Sequence, residues 1–108
     1  MKPLFKCNDF ICKIFVEDTD FQGVVYHANY LRFMERARSD MLRVAGIDQR
    51  DAFANGEGVY AVADLTIRYR RPARFDDALV IASTVEQLRA AACVIQQRVM
   101  LGDELMAD

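Results

Sequence analysis

The sequence predicts an α+β domain in which an antiparallel sheet wraps around one long helix. A helical apolar pattern begins at Tyr30, and three alternating apolar segments follow it with only short connections between them. Strands joined by short connections pair antiparallel, so these segments indicate a meandering sheet. With 108 residues, 53% of them hydrophobic, we expect one packed domain spanning residues 1–108.

The first half of the chain contains one predicted strand and the long helix. Residues 10–16 alternate in hydrophobicity, which indicates a half-buried strand. Residues 18–23 follow, with the acids and the glycine that are typical of a loop. Apolar residues then recur at helical spacing over 30–45, where Asn29 suits the N-cap and Gly46 suits the end.

The second half of the chain predicts a short helix and three strands. The helix spans 48–54 and is capped by Asp48, and a long alternating strand over 59–69 ends before Pro72. Two β-rich runs, 78–87 and 91–101, predict a hairpin because three residues separate them.

Few residues follow the turn predicted at Gly102-Asp103. We therefore expect the last strand of the sheet to be missing and the domain to be truncated at its C-terminus.

Composition excludes several classes of protein. No apolar run approaches the roughly 18 residues of a membrane span, and no signal-peptide core follows the first residues, so we expect a cytoplasmic protein. Three scattered cysteines argue against a disulfide framework and against a zinc site. The net charge of -2 argues against nucleic-acid binding by the whole domain, although four arginines cluster within residues 68–74.

The stretch 17–30 contains three acids, the single histidine, a glycine turn and the helix start. Asp18 and Asp20 are two positions apart in extended chain and point the same way, so like-charge repulsion would raise the pKa of one of them and suit proton transfer. Alternatively, both carboxylates only satisfy loop amides. A calcium loop is excluded because its twelfth position is Asn29, not glutamate, and a strand precedes it.

His27 lies where the predicted helix begins. By itself, a lone histidine is as well explained by a structural hydrogen bond as by catalysis. The free N–H groups and positive dipole end of a helix N-terminus, however, stabilise an oxyanion that develops on a carbonyl. Asp20 nearby would supply the base or the nucleophile.

Two motifs, DTDxxGVVYHANYLRFMERAR over 18–38 and YxxPARFDD over 69–77, resemble the hotdog-fold acyl-CoA thioesterases of the 4-hydroxybenzoyl-CoA thioesterase family. The sequence is most similar to the Tol-Pal system-associated branch. This resemblance implies a hotdog fold, a homodimer or homotetramer, and an active site at the dimer interface. It implies that the chain hydrolyses acyl-CoA to the free acid and coenzyme A.

The resemblance also implies roles for individual residues. Asp20 matches the catalytic aspartate, which attacks the thioester carbonyl or activates water, and His27 matches the position whose N–H holds the oxyanion. A second donor would come from the partner's strand near Val59. The expected substrate-binding residues are Tyr26, Tyr30, Glu35, Val59 and Arg89, of which Glu35 could instead pair with Arg32 or Arg38.

Thioester hydrolysis requires no cofactor and no metal, because the thiolate leaves readily. Coenzyme A carries phosphates that arginine suits, and the candidates are Arg89 and the arginines at positions 68, 70, 71 and 74. Each of these could instead be a solvated charge or a partner for an acid. The rival functions are a non-catalytic module that binds acyl-CoA or acyl-carrier protein and, against the net charge, a nucleic-acid-binding module.

Overall fold

Five antiparallel strands and one long helix form most of the regular structure in the described part of the chain. The computed structural model describes residues 5–46, 48–56, 61–88 and 92–108. The strands are β1 (Phe5–Lys6), β2 (Phe10–Lys13), β3 (Ala78–Leu88), β4 (Cys93–Leu101) and β5 (Glu104–Ala107). The helices are α1 (Asn29–Val44) and α2 (Gln49–Ala54), and Val16–Asp18 forms one 3-10 turn.

The long strand β3 organises the sheet. Both β1 and β2 pair with one edge of β3, while β4 pairs with its other edge and β5 pairs with β4. All these pairings are antiparallel, as predicted for β3 with β4 and for β4 with β5 from their short connections. The predicted hairpin of 78–87 with 91–101 is confirmed, with β3 and β4 in register from Val80 opposite Met100.

The core lies between α1 and the inner face of the sheet. Of the seven helix residues predicted to be buried, Met41 and Leu42 are half-buried and Ala45 is exposed. The other four, Tyr30, Phe33, Met34 and Ala37, are buried. They pack with inward-facing strand residues, which include Cys12, Ile14, Leu79, Ile81 and Val99. Because successive strand side chains alternate between faces, Ile11 on β2 points outward and is 72% exposed. The helical and alternating patterns therefore predicted the core correctly.

One buried polar group joins the middle of α1 to the centre of the sheet. The Gln97 amide nitrogen donates to the Met34 carbonyl and to the Ser83 hydroxyl, at 3.0 Å each. Its carbonyl oxygen accepts a hydrogen bond of 2.9 Å from the Arg38 guanidinium. Every polar atom of this buried amide that needs a partner is thus engaged with the helix or its neighbour strand.

The expectation that the last strand is missing is wrong. Gly102, at φ +58°, and Asp103 form the predicted turn, and β5 then folds back along β4 with Leu101 opposite Glu104. The four residues of β5 can form a strand because they pair with an edge of β4 that is otherwise free in the described chain. Met106 and Ala107 complete the core at that edge.

The expectation of one long strand over 59–69 is also wrong for the residues that are described, 61–69. Only Tyr69 forms a bridge, with Ala107 of β5, and the main chain at Arg68 exchanges two hydrogen bonds with Asp108. Residues 61–67 pair with none of the strands in the described chain. An alternating pattern identifies a strand-like segment but does not supply its partner.

The ends of β2, α1 and α2 can be compared with their predictions. The strand predicted over 10–16 is β2, which stops at Lys13 because the chain then turns into the 3-10 helix. Ile14 is nevertheless buried. The α2 cap is confirmed, since the Asp48 carboxylate accepts the N–H groups of Arg50 and Asp51. Gly46 at φ +86° follows α1, as predicted. In the ranges described, no helix is both long and apolar enough to cross a bilayer.

Candidate active site

The loop that precedes α1 is a tight hairpin. The Asp20 N–H donates to the Val24 carbonyl at 2.8 Å, and Thr19 bridges Val25. The Tyr26 N–H donates to the Asp18 carbonyl at 3.0 Å. Gly23 closes the turn at φ +80°, a left-handed conformation that favours glycine. These bonds place Asp20 next to the tip of the hairpin and Tyr26 at its base.

The two carboxylates of this loop accept hydrogen bonds from different main-chain amides. Asp18 accepts the N–H of Phe15 at 2.9 Å, and Asp20 accepts the N–H of Gln22 at 2.8 Å through Oδ1. Both acids therefore stabilise the loop, which is one of the two readings the sequence left open. The second oxygen of Asp20, Oδ2, bonds to nothing among the described residues and is available for chemistry.

The first turn of α1 leaves two N–H groups without an acceptor in the described chain. Ala28, not Asn29, is the N-cap, which corrects the sequence prediction. The Asn29 side chain instead donates to the Asp18 carbonyl at 2.9 Å and ties the helix start to the hairpin. The Asn29 N–H donates to the Tyr26 carbonyl at 2.8 Å, whereas the N–H groups of His27 and Ala28 make no such bond. With the helix dipole, they form an environment that favours negative charge.

An open cleft of about 270 Å³ lies beside this helix start. Its lining residues are Val25, His27, Tyr30, Tyr69, Arg70, Arg71 and Pro72. Tyr30 is 3% exposed, and its hydroxyl accepts the N–H of buried Ala73 at 3.1 Å. Burial raises the pKa of the Tyr30 phenol, so this wall of the cleft stays uncharged at neutral pH.

Aromatic rings surround the His27 imidazole. Tyr26 lies on one side of it, with ring centroids 4.6 Å apart, and Tyr69 meets it edge-on at 5.9 Å. Tyr69 also contacts Tyr30 edge-on at 5.6 Å, which connects the exposed histidine to the buried end of the cleft. Offset and edge-on aromatic pairs of this kind fix ring orientation.

The structure brings together some of the predicted site residues and leaves others apart. His27 and Tyr30 line the cleft and Tyr26 adjoins it, whereas Asp20 lies in the neighbouring hairpin and is not part of the lining. Glu35 is not brought to the cleft, and it pairs with neither Arg32 nor Arg38. Its carboxylate is exposed and accepts a 3.0 Å hydrogen bond from the Ser39 hydroxyl, one helical turn away.

Two predicted substrate-binding residues, Val59 and Arg89, lie outside the described residues. Of the other candidate arginines, Arg70 and Arg71 reach the cleft. Arg70 is held by the Asp108 carboxylate at 3.1 Å, while Arg71 is exposed and forms no ion pair within the described ranges. Arg71 is thus the arginine of the cleft that is free to meet an anion.

Sequence reasoning missed Tyr69 and Pro72 as cleft residues. Both belong to the YxxPARFDD motif, where only the arginines were considered for binding. The alternation from Ile67 to Tyr69 carried a usable signal, because Ile67 packs against the core and Tyr69 shares its side of the chain. In the parts of the chain described, no three His, Cys, Asp or Glu side chains gather as metal ligands.

The sequence profile of the thioesterase superfamily matches residues 22–107. The chain belongs to the thioesterase superfamily. The match covers the helix start, the cleft and the whole sheet from β3 onward, and it begins two residues after Asp20. The matched residues therefore include His27 and Ala28, with their unpartnered N–H groups, and all the residues that line the cleft.

Curated relatives match most of the chain. The acyl-CoA thioester hydrolase YbgC of Escherichia coli O157:H7 is 40% identical over 88 residues, which cover 82% of this chain and 65% of that protein. The acyl-CoA thioesterase YbgC of Haemophilus influenzae is 37% identical over 91 residues, covering 84% of this chain and 67% of that protein. The chain thus spans about two thirds of the length of these relatives.

A solved structure has the same fold. A probable thioesterase from Bartonella henselae superposes with a TM-score of 0.88 at 36% identity, covering 94% of this chain and 84% of that chain. The hotdog fold that the motifs implied is therefore confirmed, with an antiparallel sheet and one long helix.

Proposed function

We propose that the chain is an acyl-CoA thioesterase that releases a free acid and coenzyme A. The observation that carries this proposal is the pair of unpartnered N–H groups at His27 and Ala28, which open beside a cleft at the positive end of α1. The relatives named as acyl-CoA thioester hydrolases, at 37–40% identity, support the same reaction. We assign the chain to the Tol-Pal system-associated branch that its motifs resemble.

Asp20 supplies the carboxylate for this reaction. Its Oδ1 is anchored by the Gln22 N–H, which leaves Oδ2 free to attack the thioester carbon or to take a proton from an attacking water. Negative charge develops on the carbonyl oxygen in either route. The His27 N–H and the dipole of α1 stabilise that charge, and the coenzyme A thiolate leaves. Attack by Asp20 leaves an acyl anhydride on Asp20, which water then hydrolyses to the free acid. Attack by water gives the free acid directly, and the proton taken by Asp20 passes to the thiolate.

The cleft offers two kinds of surface to the rest of the substrate, one apolar and one cationic. Tyr30 and Tyr69 provide apolar walls next to the thioester, and the neutral Tyr30 phenol suits an acyl group. Arg71, exposed and without an ion-pair partner in the described chain, is placed to contact a coenzyme A phosphate. The predicted contributions of Tyr26, Glu35, Val59 and Arg89 stay predictions.

A second copy of the chain completes the site. Residues 61–67 alternate like a strand, and Val62 and Leu65 are about half exposed. Edge-to-edge pairing with the same segment of another copy would satisfy both features and bring the region of Val59 to the partner's cleft. We therefore assign a homodimer, or a tetramer built from it, and keep the cytoplasmic location predicted from the sequence.

The alternative function is a binding module for acyl-CoA or acyl-carrier protein without turnover. It is favoured by one observation: both loop carboxylates already serve main-chain amides, and Asp20 does not line the cleft. Such a module would use the cleft and Arg71 but would not hydrolyse the thioester.

A panel of short aliphatic, long aliphatic and aromatic acyl-CoAs separates the two functions. Each is mixed with the protein while a thiol reagent follows the release of coenzyme A, and calorimetry measures binding. We expect saturable thiol release with at least one class of acyl group. Tight binding with thiol release no faster than in buffer would establish the binding module instead.

A further inference from the structure

Tyr69 touches the helix start in two ways at once. Its hydroxyl donates a 3.0 Å hydrogen bond to the His27 carbonyl, and its ring meets the His27 imidazole edge-on. The side chain is 46% exposed, so burial of its ring alone does not explain its position. The hydroxyl contact joins the YxxPARFDD motif to the DTDxxGVVYHANY motif across 42 positions of sequence.

The hydrogen bond to the His27 carbonyl also fixes a neighbouring N–H. A peptide unit is planar, and in its trans form the N–H points opposite to the C=O. No cis peptide bond occurs in the described chain, so the Ala28 N–H points away from the Tyr69 hydroxyl. The other donor to the same carbonyl, the Tyr30 N–H, is distant at 3.4 Å. Tyr69 therefore makes the shorter bond to this peptide.

The preceding peptide is fixed by the main chain instead. Its carbonyl, that of Tyr26, accepts the Asn29 N–H at 2.8 Å, and its N–H is that of His27. Both unpartnered N–H groups thus belong to peptides whose carbonyls accept a strong hydrogen bond. A bond at the C=O polarises the peptide and makes its N–H a better donor. Only the second peptide depends on a side chain for this effect.

The strand β5 holds Tyr69 in place. Tyr69 bridges Ala107, and the flanking residues Arg68 and Arg70 donate main-chain hydrogen bonds of 2.7 and 2.8 Å to the carbonyls of Asp108 and Met106. The ring also contacts buried Tyr30. The position of the hydroxyl is therefore set by the sheet and not by the helix that it contacts.

We infer that Tyr69 is a positioning residue of the thioesterase site. It fixes the peptide between His27 and Ala28, and with it the main chain of His27, whose own N–H is the donor to the oxyanion. The inference rests on the proposed hydrolysis, and Tyr69 itself touches no reacting atom. A fixed donor stabilises the transition state more than the ground state, because negative charge on the oxygen is largest there.

The test is Tyr69→Phe, which removes the hydroxyl and keeps the ring. We expect kcat to fall about tenfold, KM to change less than about twofold, and the melting temperature to stay within about 2 °C of wild type. The backbone 15N shift of Ala28 should move, because the preceding carbonyl loses a hydrogen bond. The matched control is Thr84→Val on β3, which removes a half-buried hydroxyl that bonds to nothing in the described chain and lies outside the cleft, and which should change none of these values.

Two results would overturn the inference. One is a Tyr69→Phe protein whose kcat equals that of an active wild type. The other is a kcat loss matched by lost folded fraction, which would make Tyr69 merely structural. If the wild type hydrolyses no acyl-CoA, the proposed function fails separately, and the Ala28 shift still decides whether Tyr69 fixes the peptide.

Discussion

The middle and the first turn of α1 differ in how their polar groups are satisfied. In the middle, the Gln97 amide forms hydrogen bonds with the Met34 carbonyl, the Ser83 hydroxyl and the Arg38 guanidinium. No buried side-chain polar atom of the described residues lacks a partner. At the start of the helix, the N–H groups of His27 and Ala28 have no acceptor in the described chain, and His27 lines a cleft. The helix is thus anchored at its centre and left available for chemistry at its start.

This difference predicts that substitutions in the middle of α1 affect stability and that those at its start affect activity. The largest stability effect is expected for Phe33→Ala, since Phe33 is 1% exposed in the centre of the core. The cavity left behind should lower the free energy of unfolding by about 3–5 kcal/mol. Urea unfolding followed by circular dichroism measures it.

The matched control for that substitution is Phe21→Ala. Phe21 is 98% exposed at the hairpin turn, so its removal should change the free energy of unfolding by less than about 0.5 kcal/mol. Equal losses for the two variants would mean that the core does not lie between α1 and the sheet.

The buried amide gives the next largest effect. Gln97→Leu keeps the volume of the side chain but leaves the Arg38 guanidinium and the Ser83 hydroxyl without their partner. We expect a loss of about 2 kcal/mol in the free energy of unfolding. The kcat of the remaining folded protein should stay near wild type, and a large fall in kcat at full folding would show that the anchor and the reactive end are coupled.

Tyr30 lies between the two regions and should have a smaller effect. Tyr30→Phe removes the acceptor of the buried Ala73 N–H, while the ring stays in the core. Leaving this amide unsatisfied should cost about 1–2 kcal/mol in the free energy of unfolding. A variant as stable as wild type would mean that the amide finds another partner.

Alkaline pH gives the smallest effect. Burial raises the pKa of Tyr30 above its ordinary value of about 10. Between this value and the raised pKa of the folded chain, Tyr30 has lost its proton in the unfolded chain and has kept it in the folded chain. The free energy of unfolding therefore has its full value below about pH 10 and falls above it. Burial of the Cys12 thiol acts in the same direction from about pH 9. Urea unfolding between pH 8 and 11 should show a shallower fall for Tyr30→Phe than for wild type.

The sequence predicted best what depends on one chain's own periodicity. The buried stripe of α1, the alternation around Cys12 and the β3–β4 hairpin were all correct, because side-chain direction in a helix or a strand follows from spacing alone. The cap at Asp48 was correct for a similar reason, since its carboxylate serves amides only two and three residues away.

What the sequence could not predict depends on partners that are distant along the chain. The strand β5 forms because an edge of β4 is available, and residues 61–67 have no strand partner among the described residues. Asn29 looked like a cap but donates to Asp18 instead, since the hairpin brings that carbonyl close. Tyr69 was missed because its contact with His27 joins residues 42 positions apart.

The most direct test of the account is thiol release by Asp20→Asn compared with Asp18→Asn. Both substitutions neutralise one loop carboxylate, and both keep an oxygen that accepts the same main-chain N–H. Because only Asp20 is assigned to the reaction, we predict that Asp20→Asn lowers kcat at least about 100-fold with an unchanged melting temperature, while Asp18→Asn keeps kcat within about threefold of wild type. Full hydrolysis by a folded Asp20→Asn protein would contradict the account.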